Sequence, residues 1–304
     1  MNASAPHSLP AGGRLPDFII IGTQKGGTTC LHHYLARHPE VAVSRRKELD
    51  FFFDPGALAP DSGGRARGAW PEGLDWYRSW FTTRKPVCGE ASPLYTVGTH
   101  AETVAPRMAS VVPSARLIYL VRHPLDRIRS HFKMMMKRPR AVPCSFEEFV
   151  RSTTTLGTSR YGSILRTYLE HFPREQILVL ESEGLRTATR ETLADVFRFL
   201  GVDPEFWCER YRRPVFVGAD HPHVSPLGAR VRDSRLMHQV RRRLPDWLAF
   251  HVENALLSGF AAPPPPTDLP ASLAADVAAE LHEEMALLRR LTGAALPSLG
   301  FNSR

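Results

Sequence analysis

The stretch from Phe18 to Leu35 constrains the fold more than any other. Phe18-Ile19-Ile20-Ile21 is a short unbroken apolar run that stops at Gly22, as a strand buried on both faces of a parallel sheet does. Gly22-Thr23-Gln24-Lys25-Gly26-Gly27-Thr28-Thr29 follows. Cys30, Leu31, Tyr34 and Leu35 then recur at helical spacing until His38-Pro39, where proline disfavours further helix. Strand, glycine loop and helix in that order open a βαβ unit.

The rest of the chain continues the alternation. Strands are expected at Val41-Ala42-Val43, Val87-Cys88, Leu117 to Val121 and Ile177 to Leu180. Between them lie helical stripes. Ile164, Leu165, Tyr168, Leu169 and Phe172 form one before Pro173, and Leu193, Val196, Phe197 and Leu200 form another that stops at Gly201 in a capping position. Such alternation implies an α/β fold, a three-layer sandwich with a central parallel sheet. Residues 16–260 are expected to form the core domain. The Pro263 to Pro266 run reads as a stiff connector, and Leu273 to Leu291 as an amphipathic helix, so 261–304 forms a helical C-terminal extension packed on the same domain. Arg235 to Ser258 carries a further apolar pattern interrupted by Pro245, and the Gly-, Pro- and Arg-rich stretch from Asp54 to Gly73 reads as a loop.

Position gives the glycine loop its chemistry. Between a strand and a helix, successive backbone N–H groups and the positive end of the helix dipole converge on one point, and Gly26 and Gly27 let a phosphate approach closely. Lys25 adds a mobile charge. A triphosphate-binding loop reads G-x-x-x-x-G-K-[ST]; here the lysine stands two residues before Gly27, and Thr28 occupies the place that lysine takes. That displacement argues against an ATPase or kinase, although a nucleotide or metabolite kinase remains the alternative. The second anion site is Arg122-His123-Pro124, where a strand end meets a proline-initiated helix that carries Ser130. Arg122 offers a forked contact to phosphate and Ser130 a hydroxyl, though an arginine at such a place equally makes structural ion pairs.

Composition narrows the ligand without naming it. With 39 Lys and Arg against 31 Asp and Glu, the 304-residue chain carries a formal charge of +8, which favours a polyanionic partner. Dispersed basic residues and the lack of an aromatic-basic motif count against nucleic acid. The basic run Lys133 to Arg140, with Met134 to Met136 inside it, reads as a solvated helix end or as a surface for an anionic glycan or lipid. The 13 histidines include no H-E-x-x-H pattern; His32-His33 and His221-Pro222-His223 read as surface pairs, and no metal is expected. Four widely spaced cysteines, an N-terminus without an apolar run and the lack of any apolar stretch of about 20 residues point to a cytoplasmic protein with no membrane span.

Five ordered segments resemble the sulfotransferases that use 3′-phosphoadenosine-5′-phosphosulfate (PAPS), especially their heparan-sulfate-modifying and bacterial branches. They are Gly22 to Thr29, Lys47-Glu48-Leu49-Asp50-Phe51-Phe52, Gly89-Glu90-Ala91-Ser92-Pro93-Leu94-Tyr95, Arg122-His123-Pro124 with Ser130, and Arg160-Tyr161 at the start of a helix. The resemblance runs from about Pro16 to Leu200 and implies a fold of the P-loop nucleotide-kinase type. It implies that Lys25, Gly26, Gly27, Thr28 and Thr29 bind the 5′-phosphosulfate, that Arg122 and Ser130 bind the 3′-phosphate, and that Tyr161 belongs to the nucleotide site. It places a general base at Glu48, with Lys25 stabilising the leaving group and no metal required. Transfer to a hydroxyl or amine needs such a base within reach of the acceptor proton. Glu48 reads equally as a surface carboxylate paired with Arg45, Arg46 or Lys47. Three departures stand out: Asp50 where many relatives carry histidine, Ala91 where heparan-type relatives carry lysine, and His123 in place of aspartate or asparagine. The basic glycine loop that closes over the nucleotide has no clear counterpart in Val217 to Arg232. The acceptor and the oligomeric state are not encoded in any recognisable motif.

Overall fold

Five parallel strands, β1 (Phe18–Gly22), β2 (Val41–Val43), β3 (Val87–Ala91), β4 (Arg116–Val121) and β5 (Ile177–Glu181), form one sheet in the order β2-β3-β1-β4-β5. The computed structural model describes residues 13–56, 68–136, 144–212 and, with interruptions between 233 and 264, residues 225–300. The strand order and the loop after β1 are those of the P-loop nucleotide-kinase type.

Strand periodicity divides the core. Ile19 and Ile21 face one layer with Leu117, Tyr119 and Val121, packed against α3 (Ala101–Val111) and α7 (Tyr161–Leu169). Phe18 and Ile20 face the other with Ile118 and Leu120, packed against α1 (Thr28–Leu35), α8 (Gly184–Thr187) and α9 (Thr189–Leu200). Both faces are covered, so β1 tolerates no polar residue and reads as a continuous apolar run. α9 ends where Gly201 adopts a left-handed conformation, φ 72°, as its position demanded.

A third cluster joins α4 (Pro124–Met136), α5 (Phe146–Arg151) and α6 (Thr153–Gly157) to the C-terminal helix Ala271–Thr292. Leu273, Val277 and Leu281 of that helix enter this cluster, whereas Met285 and Leu288 enter the α3–α7 layer. One stripe thus clamps two parts of the core. Glu284 strengthens the clamp: its carboxylate accepts from Ser163 N at 2.8 Å and Ser163 Oγ at 2.7 Å, capping α7, which has no side-chain cap of its own.

The structure changes several expectations. β3 continues through Gly89-Glu90-Ala91, because Glu90 is buried and hydrogen-bonded rather than marking a strand end. Residues 70–72 form a 3₁₀ turn and Gly73 opens α2 (Gly73–Arg78), so the loop after Asp54 stops short of Gly73. His32 is not a surface residue: it packs on the inner side of α1 at 7% exposure. Pro263, Pro265 and Pro266 have no regular structure, while Pro264, Lys137 to Arg140, Val217 to Val224 and most of the Arg235 to Ser258 pattern lie outside the described residues.

Candidate active site

The carboxyl ends of the five strands lie at one edge, and the loop after β1 is tied tightly into it. Thr23 N donates to Leu120 O of β4 at 2.6 Å, and Thr23 O accepts from Gly26 N at 2.9 Å. Gly26 has no room for a side chain, since a Cβ there would lie 2.8 Å from Leu120 O and 2.9 Å from Thr23 O. Gly22 is similarly enclosed, its would-be Cβ 1.9 Å from Thr96 Oγ1. Lys25 (φ 69°) and Gly27 (φ 92°) both adopt left-handed backbone, and Leu31 N donates to Gly27 O at 3.1 Å to begin α1. No side chain caps α1 and no acidic residue stands in its first turn, so the N–H groups there keep their attraction for an anion. Buried Thr28 and partly exposed Thr29 start the helix.

The second predicted anion site meets the first. Arg122, directly after β4, donates through Nη1 to Lys25 O at 3.4 Å. The Arg122 carbonyl accepts from the hydroxyl of Tyr161 at 2.9 Å. Burial pushes the Tyr161 phenol up to about 12, which keeps it protonated as the donor. Lys25, Arg122 and Tyr161, far apart in sequence, therefore form one connected unit. Ser130 sits partly buried on α4; among the described residues it makes no hydrogen bond to this unit. His123 is held below its ordinary value, chiefly by burial.

Glu48 reaches the same edge from β2. Its N–H donates to Ala91 O at the end of β3 at 3.0 Å, and its half-exposed carboxylate pairs with Lys47 Nζ at 2.5 Å. Behind it lies an acidic network that residue type alone did not reveal. Glu90 is fully enclosed and accepts from Tyr77 Oη (2.8 Å), Ser92 Oγ (2.6 Å) and Tyr95 Oη (3.0 Å). Burial raises the Glu90 carboxyl above its usual range, and the three hydroxyls act in the opposite direction. Asp50 N in turn donates to Ser92 Oγ at 3.2 Å. The sequence reading also missed Arg127, fully buried on α4, where Nε donates to Ser159 Oγ at 2.8 Å and Nη2 to Thr155 O at 2.6 Å. It falls on the helix face of Pro124, Ile128 and His131, so helical phase was the available signal.

The loop after β1, Arg122 and the Glu48 segment thus gather at one sheet edge, an arrangement of backbone amides, basic residues and a carboxylate that suits an anionic ligand. Among the described residues no cluster of three or more His, Cys, Asp or Glu is placed to hold a metal. The sulfotransferase domain family model matches residues 15–213. The chain is 27% identical over 287 residues to the human bifunctional heparan sulfate N-deacetylase/N-sulfotransferase 3, across 77% of this chain and 31% of that protein. It is 32% identical over 155 residues to the membrane-associated sulfotransferase kil1 of Dictyostelium discoideum, across 47% of this chain and 29% of that one. It spans less than a third of the length of these relatives. A sulfotransferase from Alicyclobacillus acidocaldarius shares the fold, with a TM-score of 0.63 at 22% identity over 94% of this chain and 99% of that chain. A family match over about two-thirds of the residues, which takes in the cradle and all five strands, makes this chain a member of the sulfotransferase family.

Proposed function

We propose that the sulfuryl donor is PAPS and that the chain transfers its sulfuryl group to a hydroxyl or amine by in-line displacement. The observation that carries this reading is the tie between the cradle and Arg122, which gives two anion-binding groups a fixed separation on one rigid edge. A donor with phosphate-type groups at both its 5′ and 3′ positions suits two such sites. PAPS supplies the activated sulfuryl group. Gly26, Gly27, Thr28, Thr29 and Lys25 hold the 5′ end, and Lys25 stabilises the charge that grows on the leaving phosphate. Arg122 and Ser130 hold the 3′-phosphate, with Tyr161 keeping the Arg122 backbone in place.

Glu48 acts as the general base. It stands at the strand edge, its carboxylate half exposed, and takes the acceptor proton as the nucleophile attacks sulfur. Lys47 lies against it and orients it. The reaction needs no metal, because the cradle and the two cations carry the charge. Relatives named for N-sulfation of heparan sulfate make an amine- or hydroxyl-bearing glycan the first acceptor class to screen, ahead of glycolipids and small metabolites. We also propose a cytoplasmic location: all four cysteines are free, and no helix among the described residues is long and apolar enough to cross a membrane.

Calorimetric titration with adenosine 3′,5′-bisphosphate, and with ADP and ATP plus Mg²⁺ in parallel, tests the donor. Tight binding of the bisphosphate alone supports PAPS; preference for ATP overturns it. Lys25→Ala weakens bisphosphate binding. Glu48→Gln leaves that binding intact and lowers turnover about 10²- to 10⁴-fold, and equal loss of binding in both variants removes Glu48 from the base role.

A further inference from the structure

Arg127 is a fully enclosed charge to which the proposed mechanism gives no task. None of the ion pairs among the described residues includes it, and its Nη1 has no hydrogen-bond partner there. Burying a guanidinium without a carboxylate is costly, and an apolar side chain would serve packing alone at less cost. Its bonded donors go to neutral acceptors at one place, Nε to Ser159 Oγ at 2.8 Å and Nη2 to Thr155 O at 2.6 Å. Thr155 lies in α6 and Ser159 just before α7, and both are buried. The rigid fork of an arginine reaches two points of that junction at once.

These bonds close a ring. Tyr161 Oη donates to Arg122 O at 2.9 Å, and Tyr161 N donates to Ser159 O at 2.9 Å. Ser159 Oγ accepts from Arg127, whose own backbone N–H donates to His123 O at 2.9 Å, one residue from Arg122. The ring therefore starts and ends beside Arg122. α7 does not fix Tyr161 by itself, because Arg160 before it has non-helical backbone (φ −79°, ψ 64°) and makes no side-chain cap. Glu284 holds Ser163 on the far side of Tyr161, and Arg127 holds Ser159 on the near side. Ser130 lies three residues beyond Arg127 on α4, less than one helical turn away. One side chain thus links the helix that carries Ser130 to the helix start that steadies Arg122.

We propose that Arg127 is a positioning residue for the 3′-phosphate, a strut that sets the spacing of Arg122 and Ser130 by bracing α4 against the α6–α7 junction. This rests on the assignment of Arg122 and Ser130 to that phosphate. Full enclosure keeps Arg127 itself away from the nucleotide. A forked contact from Arg122 and a hydroxyl from Ser130 can meet one phosphate only while both keep their places. Without the strut, Ser159 and Tyr161 shift, and the Arg122 backbone follows through its bond to Tyr161. The 5′ end of the donor is held by a loop tied down independently, through Thr23 N to Leu120 O and Gly26 N to Thr23 O. Loss of the strut therefore falls on the 3′-phosphate.

Calorimetric titration of the full chain with adenosine 3′,5′-bisphosphate and with adenosine 5′-phosphate reads the contribution of the 3′-phosphate as the ratio of the two dissociation constants. Arg127→Met lowers that ratio about tenfold, the low end of what a hydrogen bond to a charged group contributes, while adenosine 5′-phosphate binds as it does to the wild type. Arg127→Lys keeps the charge but not the fork, so it lowers the ratio as Arg127→Met does; full recovery there would mean that charge alone matters and refutes the strut. Ser159→Ala is the milder variant, removing one acceptor and lowering the ratio about threefold. Combined with Arg127→Met it lowers the ratio no further, since both act on one contact. Equal weakening of the two nucleotides marks an arginine that only supports the fold, and it overturns the proposal, as does an unchanged ratio. Should the arginine variants not fold, Ser159→Ala decides by the same criterion. A wild-type protein with no preference for the bisphosphate has a separate meaning: Arg122 and Ser130 do not hold a 3′-phosphate, and the underlying reading fails before the strut is tested by any variant.

Discussion

Gly26 and Gly27 stand side by side in the cradle, yet a methyl group added to each should act through different physics. At Gly26 the new Cβ meets Leu120 O and the Thr23 methyl at 2.8 Å and Thr23 O at 2.9 Å, all closer than a carbon normally comes. Two of the three are backbone oxygens, which cannot swing away. The Thr23 N to Leu120 O and Gly26 N to Thr23 O bonds must stretch as the loop lifts off β4. Overpacking of this kind costs about 1–3 kcal/mol. Because the same displacement misaligns the amides that bind the anion, Gly26→Ala should weaken adenosine 3′,5′-bisphosphate by about five- to 150-fold, each 1.4 kcal/mol being about one power of ten. At Gly27 there is space, the nearest atom lying at 3.5 Å, but φ is 92°. Gly27→Ala then bears only the left-handed penalty of about 1–2 kcal/mol, and Gly27→Asn recovers part of it. Urea unfolding with calorimetric titration separates the cases. A Gly26→Ala protein that binds the bisphosphate as wild type does, with an unshifted unfolding midpoint, would show that the cradle does not hold the donor.

Three further outcomes follow from other parts of the molecule. Glu284→Ala removes the long-range cap of α7 and should lower the unfolding free energy by about 1–3 kcal/mol in urea, since both Ser163 bonds end on that carboxylate. Gly162→Ala places a methyl 2.5 Å from Glu284 O and 2.8 Å from Leu287 Cβ, so it should lift the same helix; the double variant should lose less than the two singles added together, because both act on one contact. His32 supplies a pH dependence: burial, helped by His33 and Lys47, lowers it from 6.5 to about 4, so the unfolded chain takes up a proton that the folded chain refuses. Stability present above pH 6.5 is therefore lost as pH falls towards 4, by at most about 3 kcal/mol, and His32→Asn flattens that limb of the urea stability profile.

What the sequence made legible was what is encoded locally. The β1 run, the glycine loop and the α1 stripe lie within eighteen consecutive residues, Phe18 to Leu35, and each announces itself by period or by glycine. All five strands were located for the same reason, and β3 was cut short only because Glu90 looks like a surface residue. That carboxylate becomes a core residue through Tyr77, Ser92 and Tyr95, hydroxyls from a helix and a turn that the sequence does not mark as its partners. Glu284 and Ser163 are 121 positions apart, and no periodicity links them. Arg127 was legible in principle, since it lies in phase with Ile128 and His131, but an arginine on an apolar face contradicts the pattern by which such faces are recognised. The same physics explains why the candidate base was easier to name than its neighbour. Glu48 sits in a segment that resembles a known family, whereas Asp50 departs from that segment. Its burial, its oxygen with no donor among the described residues and its left-handed turn exist only once β2, β3 and the residues around Ala69 have come together. Departures from a family pattern are thus where structure adds most: the aspartate that stands where many relatives carry histidine is an enclosed ionisable group two residues from the proposed base.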